Sequence, residues 1–168
     1  MDINQEVIKA FEIIKDGGII LYPTDTVWGI GCDATNPEAV AKIYQLKKRA
    51  ETQSMICLMN GEKMMYNVFK DIPEVAWQIL DLSENPTTLV LDNPRNVAPN
   101  LIAADNTLGI RIVKEPFCFK LMEKMRKPLV STSANISGQP TPIVFKDISP
   151  EIIKGVDYVV NLHHDKIA

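Results

Sequence analysis

The stretch Ile19–Cys32, IILYPTDTVWGIGC, decides how the rest of the chain is to be read. Ile19 to Tyr22 is an apolar run too short for a helix and right for a buried strand. Pro23-Thr24-Asp25-Thr26 carries turn chemistry: a proline-fixed φ followed by small polar groups able to satisfy their own backbone. Val27 to Cys32 is extended again, and Gly29 and Gly31 allow another backbone or a ligand to approach closely. A strand, a polar turn and a second, glycine-bearing extended piece follow one another here.

Working outward, Ile3, Val7, Ala10, Phe11 and Ile14 recur at helical spacing, which predicts a surface helix over 3–16, stopped by Asp16-Gly17-Gly18. Asn36 caps a second helix with Pro37 at its first position, and Lys47-Lys48-Arg49 ends it. SMICLM, TTLVL, LGIRIV, PLVST and VDYVVNL read as further strands. Helices are expected from Pro73 to about Leu82, over Phe117–Met125 and near 147–153. This mixture has no repeat and no linker. It predicts one α/β domain over 1–168, built on an open, twisted, mixed sheet with helices packed around it.

The composition narrows the function. The chain has 168 residues, 46% of them hydrophobic, and a net charge of -3. That is enough apolar content to build a core, but an RNA contact would need a local basic patch, since the overall balance is acidic. No apolar run reaches membrane-spanning length, and the amphipathic N-terminus lacks the pattern of a signal peptide. Cys32, Cys57 and Cys118 are scattered and odd in number, which argues against a disulfide framework and for a reducing cytoplasm. The adjacent His163 and His164 have no spaced partner to complete a metal site, so a surface loop is expected there and no metal ligands are assigned.

There is no phosphate loop of the GxxxxGK[ST] type, no GxGxxG and no GxSxG. What remains is a set of polar clusters at strand ends. YPTDTVWG places Tyr22, Thr24, Asp25 and Thr26 past a strand; a self-satisfying turn is the plainer explanation. LKKRAETQS places Lys47 and Arg49 two apart where a helix ends. Such cations usually offset the helix dipole, but a chain leaving the helix there can aim both at one anion, a point charge beside a bidentate fork. In PLVSTSANISGQPTP, residues 128–142, Ser131, Ser133 and Asn135 share one side of an extended backbone, and Pro140 and Pro142 stiffen the loop beyond them. A helix cap is the alternative, although Gly138 and Pro140 suit a helix poorly. In TLGIRIV, alternation sets Arg111 opposite Ile110 and Ile112, either toward solvent or into a cavity where it could grip a carboxylate.

YPTDTVWGIGC, the Lys-x-Arg of KKR, PTTLVL, GIRI and the Ser-x-Asn of STSANISG, in that order over nearly the whole chain, resemble the YrdC-like family, the threonylcarbamoyl-AMP synthases. The resemblance implies a nucleotidyltransferase that joins L-threonine, bicarbonate and ATP into threonylcarbamoyl-adenylate and releases pyrophosphate. It implies ATP as a substrate, Mg2+ on the triphosphate, and partner proteins that pass the group to a tRNA adenosine beside the anticodon, with a possible contact to tRNA or double-stranded RNA. Position by position it implies L-threonine contacts at Thr26, Arg111 and Ser131, and ATP contacts at Lys47, Arg49, Gln53, Thr107, Ser133, Asn135 and Thr141. No catalytic acid or base is named. AETQSM follows Lys-x-Arg where the family has proline and an Asn-Pro-Leu or Lys-Gly-Leu step, which leaves Gln53 the weakest match. The chain stops at HHDKIA where relatives run on, so the family's C-terminal loop and strand are expected to be missing. Two other readings stay open: a YciO-like relative of unassigned role, which tends to lack Lys-x-Arg and Ser-x-Asn, and a non-catalytic RNA-binding module. In a third, the hydroxyl clusters merely cap strands.

Overall fold

A computed structural model describes residues 2–48 and 55–165. Arg49 and Gln53 therefore lie outside the described residues. The elements are α1 (Ile3–Lys15), β1 (Ile20–Pro23), β2 (Trp28–Gly31), α2 (Pro37–Lys47), β3 (Ile56–Met59), α3 (Glu62–Val68), α4 (Glu74–Leu82), β4 (Thr88–Asp92), β5 (Thr107–Ile112), α5 (Pro116–Met125), β6 (Leu129–Ser133), α6 (Pro150–Gly155) and β7 (Tyr158–Val159), with short 3-10 turns at Pro99–Leu101 and Phe145–Asp147. The strands form one seven-stranded sheet in the order β4-β5-β3-β6-β2-β1-β7. It is mixed: β3 pairs parallel with β5, β1 parallel with β7, and the other neighbours antiparallel. The α/β class and the open mixed sheet are as the sequence predicts; α3, only seven residues long, is not anticipated.

Both faces of the central strands are covered, and alternation sorts their side chains. Ile20, Tyr22, Leu58 and Leu129 pack with Val7, Ala10 and Ile14 of α1 and Phe117, Leu121 and Met122 of α5. Their neighbours Leu21, Cys57, Met59 and Val130 pack the opposite way, against Val40, Ile43 and Tyr44 of α2 and Met65 and Val68 of α3. Strands buried on both sides read as continuous apolar runs, which is why IILY and ICLM have no polar alternation. Each fully buried Leu, Ile or Phe among them contributes about 1.5–3 kcal/mol. Gly31 is needed for close approach: a Cβ there would run into the Val130 carbonyl and the Tyr22 ring.

The caps follow local chemistry. Asp2 accepts from the Asn4 amide at the start of α1, and Asn36 accepts from Glu38 and Ala39 at the start of α2. α2 stops because Lys48 takes a left-handed conformation, φ 55°, turning the chain away just after Lys47.

The two ends of the fold are tied by a buried carboxylate. Glu6 of α1 is fully buried, and its Oε1 accepts from the Tyr158 hydroxyl at 2.8 Å and the Asn161 amide at 2.7 Å. Burial first, then the hydrogen bond to Glu6 and its charge, push the Tyr158 phenol from its ordinary 10 up to about 12. The folded chain thus favours the neutral phenol, and an unfolded chain loses that proton first. The contribution is complete below pH 10 and is lost as pH rises toward 12. Denaturant titrations across this window should show stability falling, and the fall should be shallower in Tyr158→Phe.

Candidate active site

The β1–β2 turn, the Arg111 position of β5 and the end of β6 converge on a cavity of about 250 Å3, lined by Thr24, Thr26, Val27, Gly29, Met55, Ile56, Arg111, Ser131, Thr132 and Ser133. Ladder register explains the convergence. Ile56 of β3 lies opposite Ser131, and Gly29 opposite Ser133. Gly29 keeps the floor open, since a Cβ there would sit 3.2 Å from Thr24 Cγ2 and 3.4 Å from Ser131 Oγ.

The β1–β2 turn is internally braced. Thr24 donates its hydroxyl to the Val27 carbonyl at 2.6 Å and accepts the Thr26 amide at 3.0 Å. That is the self-satisfying turn the plainer explanation requires, and yet Thr24 and Thr26 also line the cavity, so the two readings are compatible. Arg111 is 8% exposed: it reaches inward, not to solvent. Its Nη2 donates to Asp25 Oδ1 at 2.8 Å and lies 3.4 Å from Thr26 Oγ1. Its Nε is buried and has no hydrogen-bond partner among the described residues.

The wall made by β6 continues into a loop organised around Lys47. The side chain is 2% exposed. Its ammonium donates to Ser133 O at 2.6 Å and Thr132 Oγ1 at 2.9 Å, and lies 3.4 Å from both Ser133 Oγ and Asn135 Oδ1. The Lys47 carbonyl accepts from the Ser137 amide at 2.8 Å. Ser133 donates to Asn135, whose Nδ2 donates to the Gln139 carbonyl. Past this loop lies a second hollow of about 300 Å3, lined by Ala134, Asn135, Gln139, Pro140, Thr141, Pro142, Ile143, Asp147 and Ser149.

Thr26, Arg111, Ser131 and Ser133 are thus brought together at one cavity, and Asn135 and Thr141 at its neighbour. Lys47 sits behind the wall. Thr107 lines neither cavity; its hydroxyl donates to Asp105 at 2.6 Å, at the far end of β5. Thr132 also borders the cavity, although its hydroxyl turns the other way, to Lys47 behind the wall, and no sequence signal marks it. The histidines differ from a plain surface loop: His163 is exposed, but His164 stacks on the Phe145 ring at 3.9 Å and meets Trp28 edge-on.

The site contains no activated thiol among the described residues. Burial raises the pKa of Cys118, whose Sγ lies 3.5 Å from the Pro23 carbonyl, and likewise those of Cys32 and Cys57. Tyr22 is held neutral by burial too, and donates to the Val130 carbonyl. Among the described residues no group of three or more His, Cys, Asp or Glu could hold a metal ion, and no helix is long and apolar enough to cross a membrane.

A cavity below the roughly 300–1,000 Å3 of drug-sized pockets suits a small polar molecule. The profile of the Sua5/YciO/YrdC family, described as "Telomere recombination", matches residues 12–168. The chain belongs to the Sua5/YciO/YrdC family. It is similar to the threonylcarbamoyl-AMP synthase of Hahella chejuensis, 33% identical over 152 residues that cover 89% of this chain and 82% of the relative. It is similar also to that of Pseudoalteromonas translucida, 29% identical over 164 residues, 96% and 88% of the two chains. Sua5 of P. abyssi, solved in complex with L-threonine, superposes with a TM-score of 0.84 at 27% identity, over 95% of this chain. The match covers 47% of that protein, so the chain spans about half the length of this Sua5.

In this Sua5/YciO/YrdC domain, Lys47 is the strut of the Ser-x-Asn loop. Lys47→Met would remove a charged donor from Ser133 O, Thr132 Oγ1 and Asn135 Oδ1, at a cost of about 2–3 kcal/mol. The urea midpoint should fall accordingly, and Lys47→Arg should not restore it, because a planar fork cannot replace a point charge in a buried slot.

Proposed function

We propose that this chain is a threonylcarbamoyl-AMP synthase, joining L-threonine, bicarbonate and ATP into threonylcarbamoyl-adenylate with release of pyrophosphate. The observation that carries the proposal is the convergence of Thr26, Ser131 and the Arg111 guanidinium on one small cavity, beside the polar loop that follows β6. Relatives similar over most of the chain bear the name of this enzyme.

In this reading Arg111 holds the amino-acid carboxylate and the hydroxyls of Thr26 and Ser131 orient the rest of the molecule. The neutral threonine amine adds to CO2 and gives up a proton to form a carbamate, or condenses with bicarbonate, its proton then leaving in the water formed. The carbamate oxygen attacks the α-phosphorus of ATP; the bond to the bridging oxygen of the β-phosphate breaks and pyrophosphate leaves. The protein's work is positioning and charge stabilisation. Ser133, Asn135 and Thr141 line the path for the nucleotide, Lys47 shapes that wall, and Arg49 and Gln53 are assigned to ATP from their place in the sequence alone. Thr107 acts at the nucleotide's edge only if the ligand extends along β5. The metal-binding chemistry of this reaction belongs to the triphosphate, which brings its own Mg2+. The adenylate then passes to partner proteins that modify tRNA, in the cytoplasm where ATP and tRNA meet. A direct contact with tRNA or other double-stranded RNA would have to be local, given a net charge of -3.

Pyrophosphate release from ATP and bicarbonate tests the proposal. Release should require L-threonine. Ser131→Ala should raise the KM for threonine and Arg49→Ala the KM for ATP, each roughly tenfold, the value of a charge-assisted or buried hydrogen bond. Release that ignores threonine, together with no threonine binding, would overturn it.

A further inference from the structure

We infer that Asp25 is the positioning residue for Arg111 and thereby sets the affinity for the amino-acid substrate; this rests on the cavity's taking an amino acid, as proposed above. Arg111 stands on β5 and Asp25 on the β1–β2 turn, while β3 and β6 lie between β5 and β2 in the sheet. The 2.8 Å ion pair therefore bridges elements from opposite parts of the sheet. Both side chains are largely out of solvent, Arg111 at 10% and Asp25 at 19% exposure, so screening is weak and the pair holds its geometry.

Asp25 does not line the cavity, whereas Arg111 and Thr26 do. Its influence on a ligand passes through the guanidinium. Tyr22 and Cys118 also lie near that guanidinium, but burial keeps both neutral, so they supply no counter-charge. Asp25 and the Thr26 hydroxyl engage Nη2, and Nε is left buried without an acceptor among the described residues. Arg111 borders the cavity, where a ligand carboxylate would meet its guanidinium. With one nitrogen pinned by Asp25, the guanidinium plane is held in one orientation toward that ligand. Without the pin, a flexible side chain would search several rotamers before meeting the ligand.

Steady-state kinetics on the full chain with Asp25→Asn and Asp25→Glu tests this, alongside thermal melts of each variant. Asp25→Asn should raise the KM for L-threonine roughly tenfold or more, the scale of a misplaced binding group, with the KM for ATP unchanged. Asp25→Glu, which keeps the carboxylate, should recover part of the loss. An unchanged threonine KM in a folded Asp25→Asn protein, or equal rises for both substrates, would overturn the inference while leaving the enzyme assignment standing. Absence of any threonine dependence in the unmodified chain would end both. If Asp25→Asn does not fold, the unmodified protein decides: NMR of arginine-labelled chain, with the Arg111 guanidinium resonances assigned by their loss in Arg111→Lys, should show restrained Nη protons before ligand and a shift of the guanidinium resonances on adding L-threonine. Freely rotating Nη protons, or guanidinium signals indifferent to threonine, would overturn the inference.

Discussion

The Lys47 ammonium is the contact on which the site is built. A buried cation is unfavourable unless every proton finds an acceptor, and here the acceptors are a backbone carbonyl, hydroxyls and an amide oxygen at the end of β6. Satisfying the charge forces the chain after Ser133 to curl over the end of α2, and the Ser137 amide closes on the Lys47 carbonyl. The helix must end there for this to work, and the left-handed Lys48 ends it. The floor of one cavity and the rim of the other result from that single arrangement.

The sheet supplies the other constraint. Apolar packing on both faces fixes register, because a slip of one residue would turn every buried side chain to the wrong side. That same register sets Ser131 opposite Ile56 and Ser133 opposite Gly29. Hydroxyls at these positions are therefore aimed by the packing of Leu129 and Val130 a few residues earlier, and the contacts to Lys47 hold Ser133 there. Polar residues can occupy the end of the strand because the apolar part has already anchored it.

Much of this is open to inspection in the chain itself. α1, α2 and α5 carry helical spacing with caps or stops, and β1, β3 and β6 are apolar runs bounded by turn residues. Arg111 stands out because a cation between Ile110 and Ile112 is costly unless it has a use. Pairing across distance is what a linear chain cannot express. Nothing local links Asp25 to Arg111, Glu6 to Tyr158 or His164 to Phe145, since each depends on strand order and register. α3 is hidden for another reason: EKMMYNV is short, follows a glycine, and has no side-chain cap. Thr132 keeps its ladder register opposite Ile30 and turns its hydroxyl to Lys47, so its place at the cavity's border is not something alternation signals.

These features also explain how such a site could work without an obvious acid–base pair. The thiols and Tyr22 are kept neutral by burial, and the charged groups, Lys47, Arg111 and Asp25, are already committed to partners inside the protein. Little is left to reorganise when a ligand arrives, apart from water leaving the cavity. Preorganised donors of this kind stabilise charge without the cost of turning solvent or side chains at the moment of reaction. The cost of ordering them falls instead on folding, where the two hydrophobic layers around the sheet offset it.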